Sequence, residues 1–344
     1  MDIDEWSKPS RTKRIVQLFI VAIIFASIFW FVPWIPDLND GSVTVTRWDR
    51  RQGEIRAKVG PREKGWVPIN QVSKHVLNAI VASEDTRFYT HSGFDFEQIW
   101  LSMKINYKKK RFFRGGSTIS QQVVKMAFLS REKSMIRKLR EAAGTVWLEI
   151  MLPKKKILEW YINLAEFGDG VYGAREAASH YFQTKPELLT IEQGVHLALV
   201  LPSPNAWSAG LRKRALTPFG HRRYLQIVTN MRLSGFITET LWESSLARGD
   251  FGRPVQGYLE MRLGKLSEDA VLDPDFADER PIGAERDLSD TPKKITPQVT
   301  QSTSETTPPT ESPEADSSQT SFNTPEEKPL NMAPSSMPDP QSQQ

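Results

Sequence analysis

The 344-residue chain carries 45 lysines and arginines against 41 aspartates and glutamates. This formal +4 is unevenly spread, because residues 291–344 hold three lysines and seven acids and leave +8 on everything before them. Cysteine is absent, which excludes a disulfide framework and a thiolate metal site, and the five histidines include no pair at the i, i+4 spacing of a helical zinc site. A basic body suits an anionic partner, whether phosphate, nucleic acid or membrane surface.

Residues 1–14 form a short N-terminus with Arg11, Lys13 and Arg14, followed from Ile15 to Ile35 by an almost unbroken apolar run. At about 1.5 Å per residue such a helix covers roughly 30 Å, the hydrocarbon thickness of a bilayer. The run therefore predicts one transmembrane helix over 15–35. Its positive flank belongs in the cytoplasm, with Trp30 and Trp34 at the far interface and the body of the chain facing outward. A cleaved signal peptide is the rival reading, but no small-x-small site follows the run, which leads through Phe29-Trp30-Phe31 into Pro33 and Pro36.

Residues 36–64 read as an extended connector, with Val43 and Val45 alternating as in one arm of a hairpin. A folded domain over 65–250 is predicted to be mainly α. Helical spacing begins at Asn70, with Val72, Val76, Leu77 and Ile80 leading to Glu84 near the C-terminal end. A second helix follows Asp95 and gathers Phe96, Ile99, Trp100 and Met103 on one face. Thr118 and Gln121 form a capping box for a third. Met135, Leu139, Ala142, Val146 and Ile150 stripe a long fourth helix that stops at Pro153, which opens a fifth with Ile157, Leu158, Tyr161 and Ile162 inward. A turn with Gly168, Gly170 and Gly173 precedes an alanine-rich helix, then helices over 190–201, 219–234 and from Thr238 onward. Residues 251–290 form a C-terminal extension whose pattern fades beyond about 265. Residues 291–344, rich in Pro, Ser and Thr, hold too little apolar surface to offset their ordering entropy and read as a disordered tail.

Two blocks carry candidate chemistry. In the first, Glu84-Asp85-x-Arg87 runs into Phe88, Tyr89 and His91. A carboxylate at the negative end of a helix and partly buried is disfavoured in its charged form, as a general base near neutrality requires. The competing reading is a surface ion-pair cluster. In the second, Ser117, Gln121 and Gln122 lead to Lys125, Lys133, Arg137, Lys138 and Arg140 around Glu141. Those charges suit either a solvated helix face with Lys138–Glu141 and Arg137–Glu141 pairs, or a site where cations hold a diphosphate. Between the blocks, Lys104, Lys108, Lys109, Lys110, Arg111 and Arg114 mix with Tyr107, Phe112 and Phe113. Beside a membrane anchor this points to anionic headgroups more than to nucleic acid. Ser130-Arg131-Glu132-Lys133 has the Ser-x-x-Lys form of an acyl-serine site, but the Lys-Thr-Gly strand that such a site needs is missing from the sequence.

In order, Glu84-Asp-x-Arg-Phe-x-x-His91-x-Gly93-x-Asp95, Gly115-Gly-Ser-Thr-Ile-Ser-Gln-Gln122, Arg137-Lys-x-x-Glu141 and Lys156-Ile-Leu-Glu-x-Tyr-Ile-Asn163 resemble the peptidoglycan glycosyltransferases of glycosyltransferase family 51, the monofunctional transglycosylases in particular. The resemblance covers roughly residues 65–240. It implies a lysozyme-like helical domain on the outer face of the inner (cytoplasmic) membrane. It also implies joining of lipid II, a lipid-linked disaccharide-peptide, into glycan chains, with no transpeptidase domain. By position Glu84 is the implied base, and Lys125, Arg137 and Lys138 hold the diphosphate while Glu141 orders the donor site. Ser117, Gln121 and Gln122 supply hydrogen bonds, and Asp85, Arg87 and His91 shape the first block. Lys133 stands where an arginine is common, which keeps the charge and loses the fork. The implied partners are lipid II, the growing glycan, the membrane and other cell-wall or division proteins, with no nucleic acid. The expectation is that the protein itself holds no metal or cofactor, while a divalent cation (Mg or Mn) is compatible with the substrate diphosphate. The alternatives are a lytic transglycosylase or hydrolase of the same architecture and a membrane-tethered scaffold without activity.

Overall fold

The computed structural model describes residues 11–20, 36–49, 52–110, 115–130, 132, 134–273 and 276. The first of these is helical (α1, residues 11–20), with Ile15, Leu18 and Phe19 exposed. Among the described residues no helix is long and apolar enough to cross a membrane. The span expected over 15–35 is described only as far as residue 20, and its remainder, like the tail over 291–344, lies outside the described residues.

The alternating valines do form a hairpin. Strand β1 (Val43–Asp49) pairs antiparallel with β2 (Gly53–Val59), Val43 facing Val59 and Asp49 facing Gly53. Val43 and Val45 are buried while Thr44 and Thr46 face out, the period of two that a one-sided sheet imposes. The hairpin and its flanks are tied to distant elements. Trp160 donates its indole N–H to the Leu38 carbonyl at 3.0 Å, and Asn163 exchanges two hydrogen bonds with the backbone of Val67 at 2.8 and 2.9 Å.

The rest is mainly helical. A 3-10 turn (Ile69–Gln71) precedes α2 (Lys74–Glu84). The helical spacing that began at Asn70 is thus broken, because Val72 is extended and Ser73 caps the helix proper. Then come α3 (Phe96–Lys108), α4 (Ile119–Phe128), α5 (Met135–Met151) and α6 (Lys154–Leu164). A small antiparallel pair, β3 (Glu166–Gly168) and β4 (Val171–Tyr172), turns through Gly170 at φ 78°. After it follow α7 (Ala174–Phe182), α8 (Ile191–Val200), α9 (Pro204–Lys213), α10 (Pro218–Leu233), α11 (Glu239–Arg248), α12 (Tyr258–Arg262) and α13 (Glu268–Leu272). The capping box of Thr118 and Gln121 is present in both directions. Helix α9 goes unread in the sequence; Pro204 sits at its first helical position, where its missing N–H costs nothing. Beyond residue 265, α13 buries Val271 completely.

Helix α2 runs through the core, packed on α8 and α10, with Val76, Ala79, Ile80, Val81 and Ala82 excluded from water. Gly194 of α8 lets the two backbones approach so closely that a Cβ there would lie 3.0 Å from the Val76 nitrogen. In contrast, α3 and α5 leave much of their apolar stripes open: Phe96, Trp100 and Met103 on α3, and Met135, Leu139 and Ile150 on α5, are exposed.

His196 of α8 is buried, stacks on Phe251 at 4.2 Å and donates Nε2–H to the Gly249 carbonyl at 2.8 Å. Burial lowers its pKa to about 4 despite that hydrogen bond. The unfolded chain, with an imidazole near 6.5, binds a proton that the folded chain refuses, so this residue makes stability fall as pH drops from about 6.5 towards 4, by at most about 3 kcal/mol. Urea unfolding across that window is expected to show the loss, with a shallower slope in His196→Gln. Equal slopes would remove His196 as its source.

Candidate active site

Glu84 is the last residue of α2, and the core packing of that helix sets where it emerges. Gln122 of α4 donates Nε2–H to Glu84 Oε2 at 2.9 Å, and the buried Tyr161 hydroxyl of α6 donates to Gln122 Oε1 at 3.5 Å. Burial, then the nearby Glu84 and Asp85 carboxylates, pushes the Tyr161 phenol well above its ordinary pKa and keeps it a neutral donor.

The helix end itself is not left open. The Val81 carbonyl accepts from Asp85 N–H at 2.9 Å, Ala82 from Asn230 Nδ2 at 3.2 Å, and Ser83 from Arg223 Nη2 at 3.0 Å. The unopposed helix-end field expected at Glu84 is therefore met by a guanidinium on α10.

Asp85 is buried and joins two elements. Its Oδ1 accepts from His91 Nε2 at 2.9 Å and its Oδ2 from the Ile119 N–H, the first residue of α4, at 3.0 Å. Asp95 caps α3 through Gln98 N–H at 3.0 Å and lies 3.7 Å from Arg87 Nε, while Arg87 also pairs with Glu97. Ligand-type atoms of Asp85, His91 and Asp95 fall within 4.8 Å of one another. Hydrogen bonds already engage both Asp85 oxygens, so the cluster reads as a clamp between the ends of α2 and α4. Thr118 adds a 2.6 Å hydrogen bond to the Gly93 carbonyl. Gly93 has φ 85°, and a Cβ there would lie 2.9 Å from Thr145 Cγ2.

On α5, Glu141 is 2 % exposed, and so the solvated-face reading fails for it. Lys138 Nζ contacts its Oε1, and Arg137 Nη1 donates to its Oε2 at 3.4 Å. Lys138 also reaches Ser117 Oγ at 3.4 Å, two residues before α4 begins. Gln121 is buried in its capping box, serving the start of α4. Lys125 is exposed on α4, one turn beyond Gln122. Lys133 lies outside the described residues. Thus α4 is the common frame: Glu84 and Asp85 are hydrogen-bonded to it, and the Glu141 cluster is linked to the residues just before it. Tyr161, Arg223 and Asn230 are site-supporting residues that sequence reading misses as such. Tyr161 reads there as an inward apolar position and as a member of the fourth resembling block, with no role assigned, and Arg223 and Asn230 act over 140 and 148 residues of chain with no local signal.

A carboxylate held by an amide and a buried carboxylate gripped by two cations are thus both tied to α4 and its approach. The chain belongs to the transglycosylase family, whose model matches residues 52–231. It is 38 % identical over 215 residues to the biosynthetic peptidoglycan transglycosylase of Dechloromonas aromatica (strain RCB), covering 62 % of this chain and 92 % of that protein. Proteins of the same description in Nitrosospira multiformis and Paraburkholderia xenovorans (strain LB400) are 40 % and 45 % identical. Those matches cover 55 % and 40 % of this chain and 84 % and 58 % of those proteins.

Proposed function

We propose that this chain is a peptidoglycan glycosyltransferase of cell-wall biosynthesis that polymerises lipid II. The observation that carries the detailed reading is the joint attachment of Glu84 and of the Arg137–Lys138–Glu141 cluster to α4 and its approach. Glu84 takes the proton from the 4-hydroxyl of the acceptor N-acetylglucosamine, and that oxygen forms the new bond to C1 of the donor N-acetylmuramic acid. The C1–O bond to polyprenyl diphosphate breaks on the opposite face, inverting the carbon, and the electron pair leaves with the diphosphate. Arg137, Lys138, Lys125 and Lys133 meet that charge. A divalent cation, Mg or Mn, would arrive with the diphosphate as part of the substrate. Asp85, Arg87 and His91 keep the first block in shape, and Ser117 and Gln121 order the start of α4.

The open apolar stripes of α3 and α5 beside Lys104, Lys108 and Lys109 support contact with a membrane surface. With the apolar run from Ile15 to Ile35, they favour a single-pass inner-membrane protein whose catalytic domain, lysozyme-like in architecture, faces outward. Other cell-wall or division proteins are the natural neighbours there.

A hydrolase acting on finished glycan would have no diphosphate for the cation cluster to meet. Purified protein given labelled lipid II is expected to yield long glycan and free polyprenyl diphosphate; shortening of preformed glycan instead would overturn the reading. Lys125→Ala is expected to raise the KM for lipid II roughly tenfold or more, the value of one charge-assisted contact. An unchanged KM and turnover would remove Lys125 from the diphosphate site.

A further inference from the structure

The carbonyls that end α2 are held by α10, and α10 is in turn held by α13, which lies beyond residue 231 where the family match stops. The links are continuous. Arg223 Nη2 donates to the Ser83 carbonyl at 3.0 Å and to Ser83 Oγ at 3.2 Å, and its Nη1 donates to Gln226 Oε1 at 2.7 Å. Gln226 Nε2 donates to the Val271 carbonyl of α13 at 3.2 Å. Asn230, one turn further along α10, holds the Ala82 carbonyl. Gln226 is 8 % exposed and Val271 fully buried, so neither amide bond competes freely with water. Glu268 of α13 pairs with Arg232 of α10, which fixes the short helix from its other end.

We propose that Arg223 and Gln226 are positioning residues for the glycosyl transfer, and that α13, by fixing Gln226, sets the placement of Glu84. This rests on the reading of Glu84 as the base. A planar guanidinium with two occupied edges has one orientation, and Gln226 selects it by offering an oxygen to Nη1 while its amide nitrogen is committed to α13. The residue whose carbonyl the guanidinium holds is the immediate neighbour of Glu84. A shift of the last turn of α2 moves the carboxylate relative to Gln122 and to the acceptor hydroxyl, and displacements well under an ångström weaken a proton transfer. Of this device only α13 belongs to the C-terminal extension, outside the part matched by the family model; Arg223, Gln226 and Asn230 lie within that part.

The test uses the full-length protein and lipid II. Gln226→Leu, which fills the same space and breaks both hydrogen bonds, is expected to lower kcat about tenfold with less than a twofold change in KM, and to shift the acid limb of the kcat–pH profile. Gln226→Glu, which keeps the acceptor for Arg223 but loses the donor to the Val271 carbonyl, is expected to recover only part of that kcat, and full recovery would overturn the role given to α13. Arg223→Lys, which keeps the cation and loses the two-edged fork, is expected to behave like Gln226→Leu. A merely structural role would lower the melting temperature and leave the profile of the folded enzyme unmoved, which would overturn the proposal. Wild-type kcat and profile in a folded Gln226→Leu or Arg223→Lys would do the same. The Glu84→Gln background separates this proposal from the reading beneath it. An active Glu84→Gln enzyme overturns the base assignment. An inactive one beside an unaffected Gln226→Leu overturns only the positioning role.

Discussion

Glu84→Gln is expected to reduce polymerisation of lipid II by about 10²-fold or more while leaving the fold intact. Removal of a general base commonly costs that much, and neither group hydrogen-bonded in line behind it replaces it: Gln122 is an amide and Tyr161 is held neutral. Glutamine preserves the shape of the side chain and keeps an oxygen to accept from Gln122, so the melting temperature should move little. The measurement is the rate of glycan formation on a gel, paired with thermal unfolding of the same sample. A variant that polymerises normally would overturn the assignment of Glu84 as the base. A variant that fails to fold would show that the carboxylate has a structural part that its single hydrogen bond from Gln122 does not suggest.

The second large effect is expected at Glu141. Its side chain is buried and faces two cations, so Glu141→Gln leaves Arg137 and Lys138 without their counter-charge in a site partly closed to water. Breaking a buried ion pair from one side costs roughly 3–5 kcal/mol in full burial, but Lys138 is about half exposed, which reduces the expectation to about 1–3 kcal/mol. Lys138→Ala alone should cost less, about 1 kcal/mol, because its side chain is about half exposed and Arg137 still faces Glu141. Urea unfolding of both variants checks the ordering. Activity should fall in Glu141→Gln as well, since the two cations proposed to meet the leaving diphosphate would no longer be held. If Glu141→Gln is as stable as the parent chain, the pairing contributes nothing and Glu141 must act some other way.

Local chemistry carried much of this fold into the sequence. The Thr118 box, the Asp95 cap, Pro153 before α6 and the Gly235 stop after α10 are short-range signals, and each element begins or ends within a residue or two of where they place it. The inward face of α6 was also legible, because Ile157, Leu158, Tyr161 and Ile162 have one periodicity and one fate. Periodicity alone says that α3 and α5 have apolar stripes; it does not say what covers them, and within the described chain much of each stripe stays open. Residues of the candidate site were legible as types in order, Glu84 and Glu141 among them. Their connections were not. That Glu141 is buried, that Asp85 spans to Ile119, and that Arg223 reaches Ser83 are consequences of tertiary packing, and a sequence window of helical length contains no trace of them.

The bond from Gln122 to Glu84 also closes a door. An amide donates and accepts hydrogen bonds but does not readily pass protons along, so Gln122 insulates Glu84 from the Tyr161 hydroxyl behind it. With Glu84 as the base, a proton taken up in one bond-forming event does not pass through Gln122 to Tyr161. On the proposed reaction it would leave from the partly exposed side of Glu84, where the acceptor sugar would sit. Each round of chain extension would then require that face to meet water before the next sugar closes it, and the resetting of the base would keep time with the movement of the glycan.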